Sequence, residues 1–212
     1  MNYSVIILAA GSGNRMNLGY NKVLYKINDK SIVENSVDAF LKHDKCIEII
    51  LVVSKKELEY FKEMFNGSNI KIVEGGKTRS ESVYNGLKSV SNEYVMIHDG
   101  ARPYITIDLL DKLCEELIVS EACILAVKVK DTIKVVNELK IVDTPDRSTL
   151  YAAQTPQAFS TKLIRECYLK ARNRLSDFSD DSSIVECFSN VKVTIVESSY
   201  ANVKVTTKED LR

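Results

Sequence analysis

The chain is short of the features that would commit it to a disulfide, a metal cluster, a membrane or a nucleic acid. Its five cysteines, Cys46, Cys114, Cys123, Cys167 and Cys187, form no CxxC pair and no metal-ligand spacing. They sit mostly among apolar neighbours and are expected as buried thiols in a reducing cytoplasm. Neither sign of charge is in excess: 29 Lys and Arg balance 29 Asp and Glu. No global basic field therefore draws nucleic acid or an anionic membrane surface. The longest apolar stretches are strand length, well below the roughly 20 residues of a membrane span. Val5 to Ala10 is also too short for the apolar core of a secretory leader, and no basic segment precedes it. A cytoplasmic protein acting on a small molecule is the expectation. Any anion site must then come from local clustering of cations. Prolines are equally sparse, and all three, Pro103, Pro145 and Pro156, fall in polar, motif-like segments where they read as rigid turns.

What is present is alternation of strand and helix patterns, over a length suited to one α/β domain. Val5 to Leu8 is a buried strand running into Ala9-Ala10-Gly11. Ser31 to Glu34 has capping-box spacing and opens a helix to about Lys42. Ile47 to Val53 reads as a strand. Ser54 to Glu57 repeats the capping-box spacing and begins a helix through Phe65, with Gly67 placed to stop it. Ile70 to Val73 is a strand, Arg79 to Val90 a helix, Tyr94 to Ile97 a strand, and Thr106 caps a helix to about Val119. This order predicts a doubly wound, mostly parallel sheet. Between residues 129 and 147 the pattern breaks: Thr132 to Val136 and Leu139 to Val142 read as a hairpin turning at Asn137-Glu138, a protruding β-arm or a plain surface hairpin. Beyond it Ala152 to Phe159 is extended, Lys162 to Arg172 and Ser182 to Phe188 are helical, and Val191 to Val196 is a late strand.

The segments with chemistry lie at strand ends. Gly11 and Gly13 allow backbone N–H groups close to phosphate oxygens, and Arg15 and Lys22 add positive charge. This first loop contains no Gly-Lys-Ser/Thr, and the third position of a dinucleotide fingerprint is Met16, so neither familiar phosphate loop applies to it. A tight turn with surface cations is the alternative. Glu74-Gly75-Gly76-Lys77-Thr78-Arg79-Ser80-Glu81-Ser82 again joins a strand to a helix, with Ser82 able to bond the edge of a base. Asp99, in His98-Asp99-Gly100-Ala101-Arg102-Pro103, ends a buried strand on the same edge as the first loop. It reads as a Mg2+ ligand or, alternatively, a turn cap. His98 reads as a structural imidazole and His43 as an exposed helix-end cap. Arg147, with the Thr132 and Thr155 hydroxyls, suits a phosphate monoester. Ser179-Asp180-Asp181-Ser182 either caps a helix or meets a polyol hydroxyl. Lys204 sits in a short strand as a buried or cleft-facing cation.

Taken in order, AAGSGNRM with Lys22, GGKTRSESV, HDGARP, DTIK, TPDR, QTPQAF, SDD and NVKVTT resemble the 2-C-methyl-D-erythritol 4-phosphate cytidylyltransferase family from the first strand almost to the C-terminus. The resemblance implies one nucleotidyltransferase domain over residues 1–212, of the nucleotide-diphospho-sugar transferase type, with a β-arm at 129–147 that joins a homodimer. It implies that Ala9, Ala10, Gly11, Gly13, Gly76 and Ser82 hold CTP, that Arg15 and Lys22 are catalytic, and that Asp99 binds Mg2+. Arg102, Thr132, Arg147, Thr155, Ser179 and Lys204 would hold the polyol phosphate. The chain departs from the family's habit at Asn21 and Val23, where Pro and Gln are usual and a more mobile loop is expected. It also carries Ser179 for Thr, and Ser198-Ser199 for a glycine turn. The rival acceptor is ribitol 5-phosphate. A silent nucleotide-binding subunit is disfavoured by Arg15, Lys22 and Asp99 standing together.

Overall fold

A computed structural model describes residues 1–11 and 19–210 of the chain. Its main sheet is built from β1 (Tyr3–Leu8), β4 (Cys46–Val53), β5 (Ile70–Glu74), β6 (Tyr94–Asp99), β7 (Ala122–Lys128), β10 (Tyr151–Ser160) and β11 (Thr194–Glu197). In space the order is β11-β7-β10-β6-β1-β4-β5. The pairs β1/β4, β1/β6, β4/β5 and β7/β11 are parallel, while β10 runs antiparallel between β6 and β7. The fold is thus the doubly wound, mostly parallel α/β class. Helices α1 (Ile32–Leu41), α2 (Leu58–Met64) and α4 (Ile107–Ser120) pack on one face, and α3 (Arg79–Leu87), α5 (Thr161–Ala171) and α6 (Asp181–Phe188) on the other. Period-two alternation divides β1 between them: Tyr3, Val5 and Ile7 join one apolar cluster and Ile6 the other, all fully buried. Two-sided burial is why β1 reads as a continuous apolar run.

Local sequence chemistry explains most boundaries. Ser31 and Glu34 form the complete reciprocal capping box of α1, next to a short pairing of β2 (Lys26–Ile27) with β3 (Lys30–Ser31). The second expected box does not form. Ser54 makes no capping bond; its hydroxyl instead donates to Glu57 at 2.7 Å, a 3-10 turn occupies Lys55–Glu57, and α2 begins only at Leu58. Glu57 is diverted because its carboxylate also receives Asn21 Nδ2 at 3.0 Å.

Strand β7 is absent from the sequence reading. Glu121 caps α4 in the left-handed region at φ 60°, so helix passes to strand at Ala122 with no Gly or Pro to mark it. The hairpin exists, but as β8 (Val135–Asn137) and β9 (Lys140–Asp143). It turns at Glu138-Leu139, both at positive φ as a two-residue primed turn demands, one residue later than expected. It is a sheet of its own with every strand residue exposed. His43 is not an exposed cap: the chain folds back after α1 and buries the ring, its Nδ1 sharing a 2.7 Å hydrogen bond with the Tyr3 hydroxyl. Cys114, Cys123 and Cys167 are buried as expected, whereas Cys46 is half-buried and Cys187 exposed near the end of α6. No helix among the described residues is long and apolar enough to cross a membrane.

The edge of the sheet opposite the strands' C-terminal ends is tied by Glu48. Burial pushes its carboxyl up, but hydrogen bonds from Lys71, Ser4 and Ser91 outweigh it and hold it at about 2. A carboxyl held below its unfolded value stabilises the fold above that value, and the contribution is lost as pH falls through the folded one. Glu48→Gln should therefore cost about 1–2 kcal/mol at pH 7, less than the full shift because Lys71 is exposed and screened. Urea denaturation at several pH values should show the gap to the native protein narrowing from pH 5 towards pH 2. A pH-independent gap would contradict this assignment.

Candidate active site

Strand order places the site. The chain winds outward through β1, β4 and β5, then returns to lay β6 on the other side of β1, so the order reverses between β1 and β6. Ligands of open α/β sheets bind in the crevice at the carboxyl ends of such a pair. Leu8, the last residue of β1, is in register with Asp99, the last of β6. Beyond these ends lies a cleft of about 540 Å3, lined by Ala10, Gly11, Asn21, Lys22, Gly76, Lys77, Thr78, Arg79, Ser82, Asp99 and Lys204 together with Leu8, Val23 and Ala101. Among these described lining residues are four cations, Lys22, Lys77, Arg79 and Lys204, and one carboxylate, Asp99. A chain without net charge has gathered cations at one crevice.

Asp99 is the pivot. Arg79 Nε donates to its Oδ1 at 3.2 Å and Lys204 Nζ to its Oδ2 at 2.6 Å. Its backbone N–H donates to the Thr155 hydroxyl at 3.0 Å. Burial would raise its pKa, but Arg79 and Lys204 outweigh burial and hold the carboxyl well below the usual range. Arg79 extends the network inward, its Nη2 donating at 2.8 Å to the fully buried Asp181, which also accepts from the Tyr168 hydroxyl. Burial favours loss of the guanidinium charge, yet Asp181 and Asp99 raise its pKa on balance. The Nη1 of Arg79 is buried and has no hydrogen-bond partner among the described residues. His98 is fully buried, lowered by that burial to about 4, and bonded to the Arg102 carbonyl at 3.1 Å. It is a neutral structural imidazole at physiological pH.

The turn after β5 is held by its own side chains. Ser82 accepts from the Gly76 N–H at 3.1 Å and donates to the Thr78 carbonyl at 2.9 Å. Thr78 caps α3 by accepting from the Glu81 N–H, and Glu81 reaches back to the Lys77 N–H at 2.7 Å. Side chains at the glycine pair have no room: a Cβ on Gly75 would stand 2.8 Å from that of Ala10, and one on Gly76 2.3 Å from that of Glu81. The Ser82 hydroxyl thus shapes the floor of the cleft.

Lys22 opens a 3-10 turn, Lys22–Leu24, and its Nζ donates to the Val205 carbonyl at 2.8 Å. Val205 N–H in turn bonds the Ala101 carbonyl, so the C-terminal segment closes one wall and carries Lys204 into the cleft. Residues 203–206 form no strand, contrary to expectation, although Lys204 does face the cleft. Asn21 is buried and hydrogen-bonded on both ends of its amide.

Of the residues singled out in the sequence, Ala10, Gly11, Lys22, Gly76, Ser82, Asp99 and Lys204 meet at the cleft. Gly13 and Arg15 lie outside the described residues. Ala9 is buried behind the cleft, its N–H on the Val52 carbonyl. Arg102 is buried and is not among the lining residues, with Nη1 on the Asn202 carbonyl at 2.7 Å. Thr155 supports Asp99 from behind. Thr132, Arg147 and Ser179 are exposed and do not line the cleft, Arg147 donating to the Lys130 carbonyl at 2.8 Å. In the acidic segment Asp180 takes the capping role, accepting from the Ser183 N–H at 3.0 Å. Sequence reasoning passed over Arg79, whose signal was a cation at the first helical position after a glycine pair.

Comparison with known proteins identifies the family. The family model described as 2-C-methyl-D-erythritol 4-phosphate cytidylyltransferase (IspD) matches residues 3–212. A 2-C-methyl-D-erythritol 4-phosphate cytidylyltransferase of Bacillus velezensis is 41% identical over 216 residues, spanning 100% of this chain and 93% of its own. That of Alkaliphilus oremlandii is 44% identical over 219 residues, spanning 98% and 91%. Among solved structures, the 4-diphosphocytidyl-2C-methyl-D-erythritol synthase of Anaerococcus prevotii superposes with a TM-score of 0.87 at 35% identity, covering 99% of this chain and 94% of that one. With its cation-lined cleft at the strand-order reversal and full-length similarity of this kind, the chain belongs to the 2-C-methyl-D-erythritol 4-phosphate cytidylyltransferase family, and is an enzyme of that family.

Proposed function

We propose that the protein transfers CMP from CTP to 2-C-methyl-D-erythritol 4-phosphate, releasing pyrophosphate, in isoprenoid precursor biosynthesis. The observation that carries this reading is the presence of Lys22, Lys77, Arg79 and Lys204 on the walls of one cleft at the strand-order reversal, with Arg79 and Lys204 bonded to its buried carboxylate. An ionised phosphate monoester needs no general base. Its oxygen attacks the α-phosphorus of CTP in line, a new P–O bond forms, and the bond to pyrophosphate breaks. Positioning and charge stabilisation are what remains for the protein to supply. Lys22, with Arg15, is assigned the charge that develops on the transferring phosphoryl group. Ala10, Gly11, Gly76 and Ser82 form the nucleotide side of the cleft, and Lys204 the acceptor side.

Asp99 suits Mg2+ by the chemistry of its donor set. The ion is commonly held by one or two carboxylates with phosphate oxygens and water completing the shell. Asp99 is one ionised carboxylate beside the phosphate cleft, and no group of three or more His, Cys, Asp or Glu side chains suited to a metal occurs among the described residues. Bound there with CTP, the ion would neutralise phosphate charge as a Lewis acid. Lys204, bonded to the same carboxylate and part-exposed, is the group free to yield.

The arm is assigned to a homodimer. Its hairpin exposes Val136, Leu139, Ile141 and Val142, with Leu139 98% exposed, an apolar tip that water does not favour. Docked on a second copy, it would bring Thr132 and Arg147 of the partner subunit to the acceptor phosphate, which explains why neither lines the cleft of its own chain.

Two measurements test this reading. Pyrophosphate release from CTP and Mg2+ should be rapid with 2-C-methyl-D-erythritol 4-phosphate and at least about 100-fold slower with ribitol 5-phosphate, the scale set by one missing or misplaced contact. The reverse preference would change the substrate, and release with neither would remove the activity. Leu139→Asp with Ile141→Asp should convert a dimer to a monomer in sedimentation velocity and raise the acceptor KM about tenfold or more. A native monomer would contradict the arm's role.

A further inference from the structure

Asn21 is the least expected residue at the rim of the cleft: a polar amide, 5% exposed, next in sequence to Lys22. Its Nδ2 donates to the Ala9 carbonyl at 2.8 Å and to Glu57 Oε2 at 3.0 Å, so both amide hydrogens are used. Its Oδ1 accepts from the Val23 N–H at 3.3 Å, fixing the turn that begins with Lys22. Glu57 is itself held by the Ser54 hydroxyl at 2.7 Å. One side chain thereby joins the exit of β1, the turn after β4 and the backbone of Lys22.

The chemistry is specific to asparagine. Aspartate would present a second carboxylate to Glu57 and an acceptor to the Ala9 carbonyl, replacing two attractions by repulsions. Alanine would leave the Ala9 carbonyl and the Glu57 carboxylate without that partner. The bonds are also mutually reinforcing, since Glu57 gives up its place in a helix cap to make them. Lysine is a flexible four-carbon arm, so the placement of its charge depends on how firmly its backbone is set.

We propose that Asn21, braced by Glu57, is a positioning residue that sets the backbone of Lys22 for phosphoryl transfer. This rests on the role given to Lys22 under the proposed function. A displacement of about 1 Å in a group that stabilises a transition state can cost about 100-fold in rate. Asn21→Ala should therefore lower kcat about 10- to 100-fold with the acceptor KM within about twofold. Glu57→Ala, outside the cleft, should lower kcat in the same sense by a smaller factor.

The test is a double-mutant cycle on kcat with Asn21→Ala, Lys22→Ala and the two combined, with Glu57→Ala alongside and far-ultraviolet circular dichroism as the check of fold. Lys22→Ala should be about 100- to 1000-fold slow. Because the brace acts through Lys22, the double variant should be no slower than Lys22→Ala alone. Losses that multiply would assign Asn21 a general structural role and overturn the proposal. Normal turnover in a folded Asn21→Ala, with Lys22→Ala slow, overturns the brace and leaves the function intact. Normal turnover in Lys22→Ala overturns the brace and the role given to Lys22, whereas no turnover in the native protein overturns the function itself. If Asn21→Ala does not fold, Glu57→Ala and its combination with Lys22→Ala give the same decision.

Discussion

The site depends on keeping one carboxylate ionised where burial opposes it. Asp99 ends a fully buried stretch of β6, and an isolated charge there would cost several kcal/mol. Arg79 and Lys204 remove that cost from opposite sides, and each is held in place by a different part of the chain. Arg79 is anchored by Asp181 at the start of α6, while Lys204 arrives with the C-terminal segment that Val205 pins to Ala101. Thr155, from the antiparallel strand β10, secures the Asp99 backbone. Segments far apart in sequence therefore converge on the end of a single strand. Elements that would otherwise look like late additions to a parallel sheet are what make its central carboxylate tenable.

The same arrangement lines the cleft with positive charge. Arg79 and Lys204 are bonded to Asp99 yet remain on the cleft wall, and Lys22 and Lys77 also line it. In a chain with equal numbers of acidic and basic residues, this concentration gives the crevice a field that the surface as a whole lacks. Preorganised charge of this kind needs no reorganisation when the reaction occurs, which is where its catalytic value lies.

Much of this was legible in the sequence where one residue type carries one physical meaning. Two-sided burial made β1, β4 and β6 read as apolar runs, and the Ser31–Glu34 spacing gave the start of α1. Since Asp99 follows such a run, its position at the ligand edge followed too. The failures occurred where a residue had competing partners. Glu57 matched a capping box but bonds Asn21, Glu121 stops a helix without glycine, and His43 is buried by a tertiary contact with Tyr3. Arg79 was missed because only the fold shows that Asp99 and Asp181, 82 positions apart in number, share it.

The central claim is that Asp99 links the cation cluster to metal-assisted nucleotide binding. Calorimetric titration of CTP into the native protein and into Asp99→Asn, each with and without Mg2+, tests it directly. Without the ion, the variant should bind CTP at least as tightly as the native protein, because Arg79 and Lys204 are released towards the phosphates. With Mg2+, affinity should rise for the native protein and not for the variant. An equal gain from Mg2+ in both would contradict the account.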